Sequence, residues 1–285
     1  MTLANHWFTE QDERTGTALS LRLGAHVHGE QTPYQRIDIY ETDTFGHLMT
    51  IDGCTMLSTR DNFLYHEMMA HPVLNAHPCP KRVAIIGGGD CGTLNEVLKH
   101  GEVESAIQIE IDERVTRLAE RYFPELCARN DDPRAEFFFG DGIQWMKDAA
   151  PGSLDVVIID STDPVGPAEG LFGKQFYIDV LRALGEGGLM VQQSESPLLH
   201  LDLIRDMHAA MREAGFAQTH LLHFPQPIYP SGWWSATMAC TRAATLEERL
   251  DARAIAALET RYYNASTHRA AFALPGYVRE VLDAI

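Results

Sequence analysis

The chain has 285 residues, 45% of them hydrophobic, and carries 40 acidic against 23 basic residues for a formal charge of −17. That length can bury a full core in one large domain, or in one plus a small one. The charge argues against a nucleic-acid binder, which shows a basic face, and against adsorption to anionic membranes, while suiting cationic small molecules. Cys54, Cys79, Cys91, Cys127 and Cys240 are scattered and form no C-x-x-C pair. They read as reduced thiols, and the expected location is cytoplasmic. Met1–Trp7 lacks the basic and apolar segments of a signal peptide, and no apolar run has the length of a membrane span.

Residues 18–58 alternate apolar with polar rather than repeating at helical spacing. Arg36–Glu41 alternates cleanly, and Ile51-Asp52-Gly53 is a hairpin signal. The expectation is a small antiparallel β-domain over residues 1–59. From Arg60 to Ala76 the pattern turns helical, with Phe63, Leu64, Met68 and Val73 on one side and a kink expected at Pro72.

After Pro80, strand and helix alternate. Strands are expected at Val83–Ile86, Ser105–Ile111, Ala135–Phe139, Leu154–Ile159 and Gly188–Gln192. Helices are expected at Thr93–Lys99, Glu113–Tyr122, Gly142–Ala149, Gly173–Leu184 and Leu198–Ala214. Gln218–Phe224 and Trp233–Thr241 are further extended stretches. Such alternation implies an α/β domain over residues 60–285, a parallel sheet with helices on both faces.

The first of these strands runs into Gly87-Gly88-Gly89-Asp90-Cys91-Gly92, which fits the dinucleotide pattern G-x-G-x-x-G. A pyrophosphate would rest on the helix amides after such a turn. A carboxylate there repels an anion and invites a cation, so Asp90 points to a nucleoside with a positive tail.

Acids also end the neighbouring strands: Glu110 and Asp112, Asp141, then Asp160 and Asp163. In open α/β sheets these ends face the ligand crevice. Acids after strands are also good helix caps, and Asp112 and Asp141 are the most cap-like. Glu110 stands where an acid accepts hydrogen bonds from ribose hydroxyls, and Asp141-Gly142 suits an adenine edge. Asp160 and Asp163 lie three residues apart on a proline-containing stretch read as loop. One can act as base for an attacking amine while the other anchors it. A carboxylate Mg²⁺ site is the weaker alternative, since nothing nearby cradles a phosphate.

These residues carry a resemblance. Arg60–Met68 and Asp160–Phe172 are its most specific blocks, joined by Tyr34-Gln35, Met49–Gly53, Gly87–Asp90, Glu110–Asp112, Asp131–Arg134, Gln192-Gln193, Tyr229–Gly232 and Tyr262–Asn264. The chain resembles the spermidine synthases, the polyamine aminopropyltransferases, over nearly its whole length. The resemblance implies a Rossmann-like, S-adenosylmethionine-methyltransferase-type sheet behind the N-terminal β-domain. That small domain would assemble homodimers or homotetramers and form part of the active-site entrance. The implied reaction moves an aminopropyl group from decarboxylated S-adenosylmethionine to putrescine, giving spermidine and 5′-methylthioadenosine. No cofactor is implied, because the sulfonium donor is a co-substrate and already carries a good leaving group.

By matching position, Asp160 would be the base. Gln35, Glu110, Asp141, Gly142 and Pro167 would hold the nucleoside, and Asp90 and Tyr65 the aminopropyl ammonium. His66, Asp163, Gln193, Tyr229 and Trp7 would line the diamine channel. Tyr65 and His66 are adjacent on one helix, about 100° apart, so they cannot reach a ligand from the same side. The remaining histidines are read as surface or packing residues. Cys91, where a glycine is common, and Asn95, where an arginine is frequent, are departures that leave the chemistry intact. The rivals are an aminopropyltransferase for cadaverine, agmatine or spermidine, an S-adenosylmethionine-dependent amine N-methyltransferase, a polyamine-binding protein without catalysis, and, from the glycines alone, an NAD dehydrogenase.

Overall fold

The computed structural model describes residues 6–163, 166–243, 246 and 252–285. Five strands come first: β1 (Trp7–Asp12), β2 (Thr17–Gln31), β3 (Arg36–Thr42), β4 (Gly46–Ile51) and β5 (Cys54–Ser58). They pair antiparallel in chain order as one sheet. Asp52 and Gly53 both have positive φ, 49° and 83°, and close a two-residue hairpin between β4 and β5. That is the backbone twist such a turn demands. The sheet begins earlier than the alternation from residue 18 implies. β1 is mostly polar and half-buried, so its sequence shows no period. The inner face, Ile37, Ile39, Met49, Ile51 and Leu57, packs on Val115, Leu118, Phe123 and Leu126 of the following domain.

Helix α1 (Asn62–Ala76) runs through Pro72 and is buried nearly all round. A helix enclosed on all sides needs no polar stripe. The single apolar face expected for it is therefore wrong, and Phe63 and Leu64 are among its less buried residues. Beyond it lie β6 (Arg82–Gly87), α2 (Gly92–Val97), β7 (Ser105–Glu110), α3 (Glu113–Tyr122), β8 (Ala135–Phe139), α4 (Gly142–Asp148) and β9 (Leu154–Asp160). A 3₁₀ helix at Gly166–Phe172 replaces part of the loop expected after Asp160. Then come α5 (Lys174–Ala183), β10 (Leu184–Gln193), α6 (Leu201–Ala214), β11 (Gln218–Pro225) and β12 (Trp233–Cys240). Among the described residues, three short helices that the sequence reading did not name follow: α7 (Ala252–Ala257), α8 (Ala265–Ala271) and α9 (Gly276–Asp283).

The second sheet has the order β11-β12-β10-β9-β6-β7-β8. It is mixed rather than purely parallel, because β12 runs antiparallel to both its neighbours. Alternate residues of β6 and β9 feed opposite cores. Val83, Ile85, Val156 and Ile158 pack towards α1 and α2, while Ala84, Ile86, Val157 and Ile159 pack towards α5 and α6. Both faces are thus covered, which is why these strands read as continuous β-branched runs. The chain leaves β6 towards β7 and β8, then returns to place β9 on the other side of β6. That reversal opens a crevice at the carboxyl ends of β6 and β9. There, Gly87 is in register with Asp160.

Candidate active site

A cleft of about 380 Å³ opens at this reversal, roofed by β4, β5 and the β2–β3 turn of the first sheet. Its lining includes Gln35, Tyr65, Gly87–Asp90, Glu110, Asp141, Gly142, Asp160, Asp163 and Tyr229. A smaller cavity of about 40 Å³ adjoins it, sharing Tyr65, Asp163 and Tyr229 and adding Glu10, Gln193 and Trp234. The structure thus gathers most of the residues singled out from the sequence. Trp7 and His66 line neither cavity. Trp7 stands 37% exposed on the edge strand β1. The side chain of Pro167 lies outside the described residues.

The glycine turn owes its composition to the side chains around it. Gly87 and Gly88 have φ of 84° and 65°, in the left-handed region where a side chain is strained. A Cβ on Gly87 would overlap the Asp160 carbonyl, and one on Gly89 would stand 2.7 Å from Glu110 Oε2. On Gly92 it would overlap the His66 ring. The Gly88 amide donates to the Asp160 carbonyl at 2.7 Å, tying the turn to β9. The glycines bring Asp160, Glu110 and His66 close together before any ligand is considered.

Asp160 sits at the floor of the cleft. The Tyr65 hydroxyl donates to its Oδ1 at 2.6 Å and the Thr93 hydroxyl to its Oδ2 at 2.5 Å. Burial, with the Asp90 carboxylate next, pushes Asp160 above the usual carboxylate range, while His66 and the two hydroxyls oppose that rise. The result is a carboxylate held in fixed orientation with raised proton affinity, which is what a general base near neutral pH requires.

Asp90 is held as firmly. Its Oδ1 accepts from the Gly92 amide at 2.7 Å and its Oδ2 meets His66 Nε2 at 3.1 Å. Burial disfavours a charge on His66, but Asp90 and Asp160 outweigh it and push the imidazole up to about 9. His66 is therefore a cation behind Asp90, and Tyr65 faces the cleft. The two neighbours divide their attention between two carboxylates, as their angular separation on α1 requires.

At the end of β7, Glu110 is 8% exposed, and its Oε1 accepts from the Asp112 amide at 2.8 Å. Burial, assisted by Asp112 and Asp160, pushes it up to about 7. Asp112 and Asp141 are indeed helix caps: Asp112 accepts from the Arg114 amide, and Asp141 from those of Ile143 and Gln144. Asp141 does both jobs, capping α4 while lining the cleft. Gln35 donates to Asp112 Oδ2 at 3.1 Å, clasping the β-domain to the strand ends.

The smaller cavity holds more acid than the sequence suggested. Asp163 is hydrogen-bonded to Glu195, and burial together with that neighbour raises it far above the usual carboxylate range. Glu10 is also raised, chiefly by burial. Thr93, Glu10 and Glu195 escaped the sequence reading. The strand-end rule reaches Glu195, two residues past β10, once that strand is extended to Gln193. Glu10 lies on the unrecognised β1, and nothing in the sequence marks Thr93. Among the described residues no cluster of three or more His, Cys, Asp or Glu is arranged to hold a metal ion.

Residues 62–248 match the family model described as the spermine/spermidine synthase domain. Residues 6–59 match that of the spermidine synthase tetramerisation domain. The chain belongs to the spermine/spermidine synthase family. It is similar to the polyamine aminopropyltransferase of Methylococcus capsulatus, 64% identical over 279 residues and covering 98% of each chain. The corresponding protein of Nitrosococcus oceani is 60% identical, with 96% of each chain covered. Among solved structures, it resembles a spermidine synthase in complex with the transition-state analogue AdoDATO, with TM-score 0.93, 36% identity and coverage of 100% and 97%. It also resembles the spermidine synthase of Thermotoga maritima, with TM-score 0.91, 36% identity and coverage of 98% and 94%. For a member of this synthase family, a cleft so rich in carboxylates fits substrates that arrive as cations.

Proposed function

We propose that the protein is a spermidine synthase. It transfers the aminopropyl group of decarboxylated S-adenosylmethionine to putrescine, releasing 5′-methylthioadenosine. The observation that carries this reading is Asp160, fixed by two hydroxyl donors beside the cation-paired Asp90. The acceptor amine loses its proton to Asp160 as its lone pair attacks the carbon next to sulfur. The C–N bond forms while the C–S bond breaks, and the electron pair returns to sulfur, leaving a neutral thioether. Holding the two substrates in line contributes on the order of 7–11 kcal/mol of the barrier reduction.

Asp90 and Tyr65 hold the aminopropyl ammonium, and Asp90 repels the carboxylate of intact S-adenosylmethionine. Gln35, Glu110, Asp141, Gly142 and Pro167 hold the nucleoside, with Glu110 on the ribose hydroxyls. Asp163, Gln193 and Tyr229 line the diamine path. His66 supports it through Asp90, and Trp7 belongs to its entrance. Residues 1–59 form the assembly domain and 60–285 the catalytic one, a division supported by the two sheets and the two family matches. The match to a tetramerisation domain supports a homo-oligomer, as a dimer or a tetramer. The five cysteines form no disulfide, which supports a cytoplasmic location.

The test offers decarboxylated and intact S-adenosylmethionine with putrescine, cadaverine, agmatine and spermidine, products being read by mass spectrometry. Spermidine from the decarboxylated donor and putrescine is expected, with turnover abolished in Asp160→Asn. Methylated amines from the intact donor would overturn the reading.

A further inference from the structure

Behind the diamine end lies a polar relay whose outer members, Asp163 and Gln193, line the smaller cavity. Glu195 follows β10 with φ of 67°, a left-handed conformation that a non-glycine residue adopts only under constraint. Its amide donates to Gln193 Oε1 at 3.2 Å, and its carbonyl accepts from the Ser235 hydroxyl at 2.7 Å. Its carboxyl, in a residue 2% exposed, is hydrogen-bonded to Asp163 on one side. On the other, its Oε2 stands 3.1 Å from His200 Nδ1. The opposite nitrogen of the same ring, Nε2, lies 3.2 Å from Asp12 Oδ2 at the tip of the β1–β2 hairpin. One buried imidazole thus bridges an acid of the first sheet and an acid of the catalytic domain.

The geometry points to His200 as the positioning residue for acceptor recognition: it orients Glu195 against Asp163 and pins the β1–β2 hairpin over the diamine end. The inference rests on the aminopropyl-transfer reading, because the acceptor is what that end receives. The charged groups facing the relay are Asp12 and Arg14 from the hairpin and Glu195 from the segment after β10, with Asp163 and Glu10 beyond. Burial disfavours a charge on His200, but Glu195 and Asp12 outweigh it and raise its proton affinity. A cation here offsets the rise that Glu195 imposes on Asp163, so that Asp163 ionises more readily when an ammonium arrives. A packing role alone would make no distinction between acceptor and donor.

His200→Gln and Asp12→Asn, with the wild type alongside, test the assignment by steady-state kinetics in both substrates from pH 6 to 9. His200→Gln is expected to raise KM for putrescine about ten-fold or more, the charged contact with Glu195 being lost. Its kcat and donor KM stay near the wild-type values. The acid limb of kcat/KM for putrescine moves to higher pH, because the carboxyl pair loses its neighbouring cation. Asp12→Asn keeps the Glu195 contact and shows a smaller rise in the same parameter. An unchanged putrescine KM in a folded His200→Gln would overturn the assignment, as would a proportionate loss in every parameter with a lowered melting temperature. If His200→Gln does not fold, an unchanged putrescine KM in Asp12→Asn decides against it. Absence of transfer by the wild type would instead refute the reading beneath it.

Discussion

Replacing Tyr65 with phenylalanine removes one oxygen atom and one hydrogen bond, the 2.6 Å donation to Asp160 Oδ1. The ring stays packed at about 6 Å from those of Phe224 and Tyr229, so the wall of the cleft survives. A hydrogen bond to an ionised group contributes roughly 1.5–3 kcal/mol. The Tyr65 hydroxyl stabilises the ionised form of Asp160, so its loss raises a proton affinity that burial and Asp90 have already lifted. At about 1.36 kcal/mol per unit, the rise is roughly 1–2 pH units. The acid limb of kcat, which reports the base in the bound complex, moves up by that amount. Below the limb kcat falls about 10–100-fold, and at alkaline pH most of the difference disappears. Release of 5′-methylthioadenosine at saturating substrates, followed from pH 6 to 10, measures both. A loss by the same factor at every pH would refute the reasoning, since the Tyr65 hydroxyl would then contribute nothing to tuning the base.

Asp90→Asn should raise KM for the decarboxylated donor about 10–100-fold, the loss of a charge-assisted contact. It should also narrow the preference over intact S-adenosylmethionine, and an unchanged ratio of kcat/KM values for the two donors would remove Asp90 as the selector. Glu110 accepts ribose hydroxyls best when ionised and takes up its proton as pH falls through about 7. Affinity for 5′-methylthioadenosine therefore weakens on acidification by up to about ten-fold per unit. Calorimetry should show that slope in the wild type and a flat profile in Glu110→Gln. On the far side of α1, Glu67 accepts from the amides of Arg261, Tyr262 and Tyr263 at 2.7–2.8 Å. Glu67→Gln should cost about 2–3 kcal/mol of unfolding free energy, as its amide group turns a donor towards donors. A denaturation midpoint equal to wild type would contradict that.

Legibility followed the physics of burial. Strands covered on both faces, such as β6 and β9, declare themselves as apolar runs, and their carboxyl ends then locate Asp90, Glu110, Asp160 and Asp163. β1 did not declare itself because an edge strand with both sides half-wet has no period. Nor did α7–α9, which are short; the link between α7 and α8 is fixed by a long-range contact, the three amides of 261–263 on Glu67. Val191-Gln192-Gln193 hid the end of β10. Glutamine is unusual in a strand interior, yet Gln192 is fully buried because its amide meets Tyr177 and the Leu171 carbonyl. With that end misplaced, Glu195 and His200 stayed unread.

The glycine turn shows where sequence logic reaches a right conclusion by an incomplete route. Its pattern suggests space for a phosphate, and the acid inside it argues for a cation instead. In the folded chain, the spaces left by Gly87, Gly89 and Gly92 are already filled by Asp160, Glu110 and His66. The turn therefore sets the distances within the acid cluster. Three carboxylates have different counterweights, His66 for Asp90, two hydroxyls for Asp160 and a backbone amide for Glu110, whereas Asp163 faces a second carboxyl, Glu195, that raises it. Like charges this close cannot all ionise without such partners. Differences among the partners give these similar side chains different surroundings, and so allow one to act as base while others remain anchors. Alanine at Gly89 would disturb that division without removing a single functional group, because its Cβ would press on Glu110.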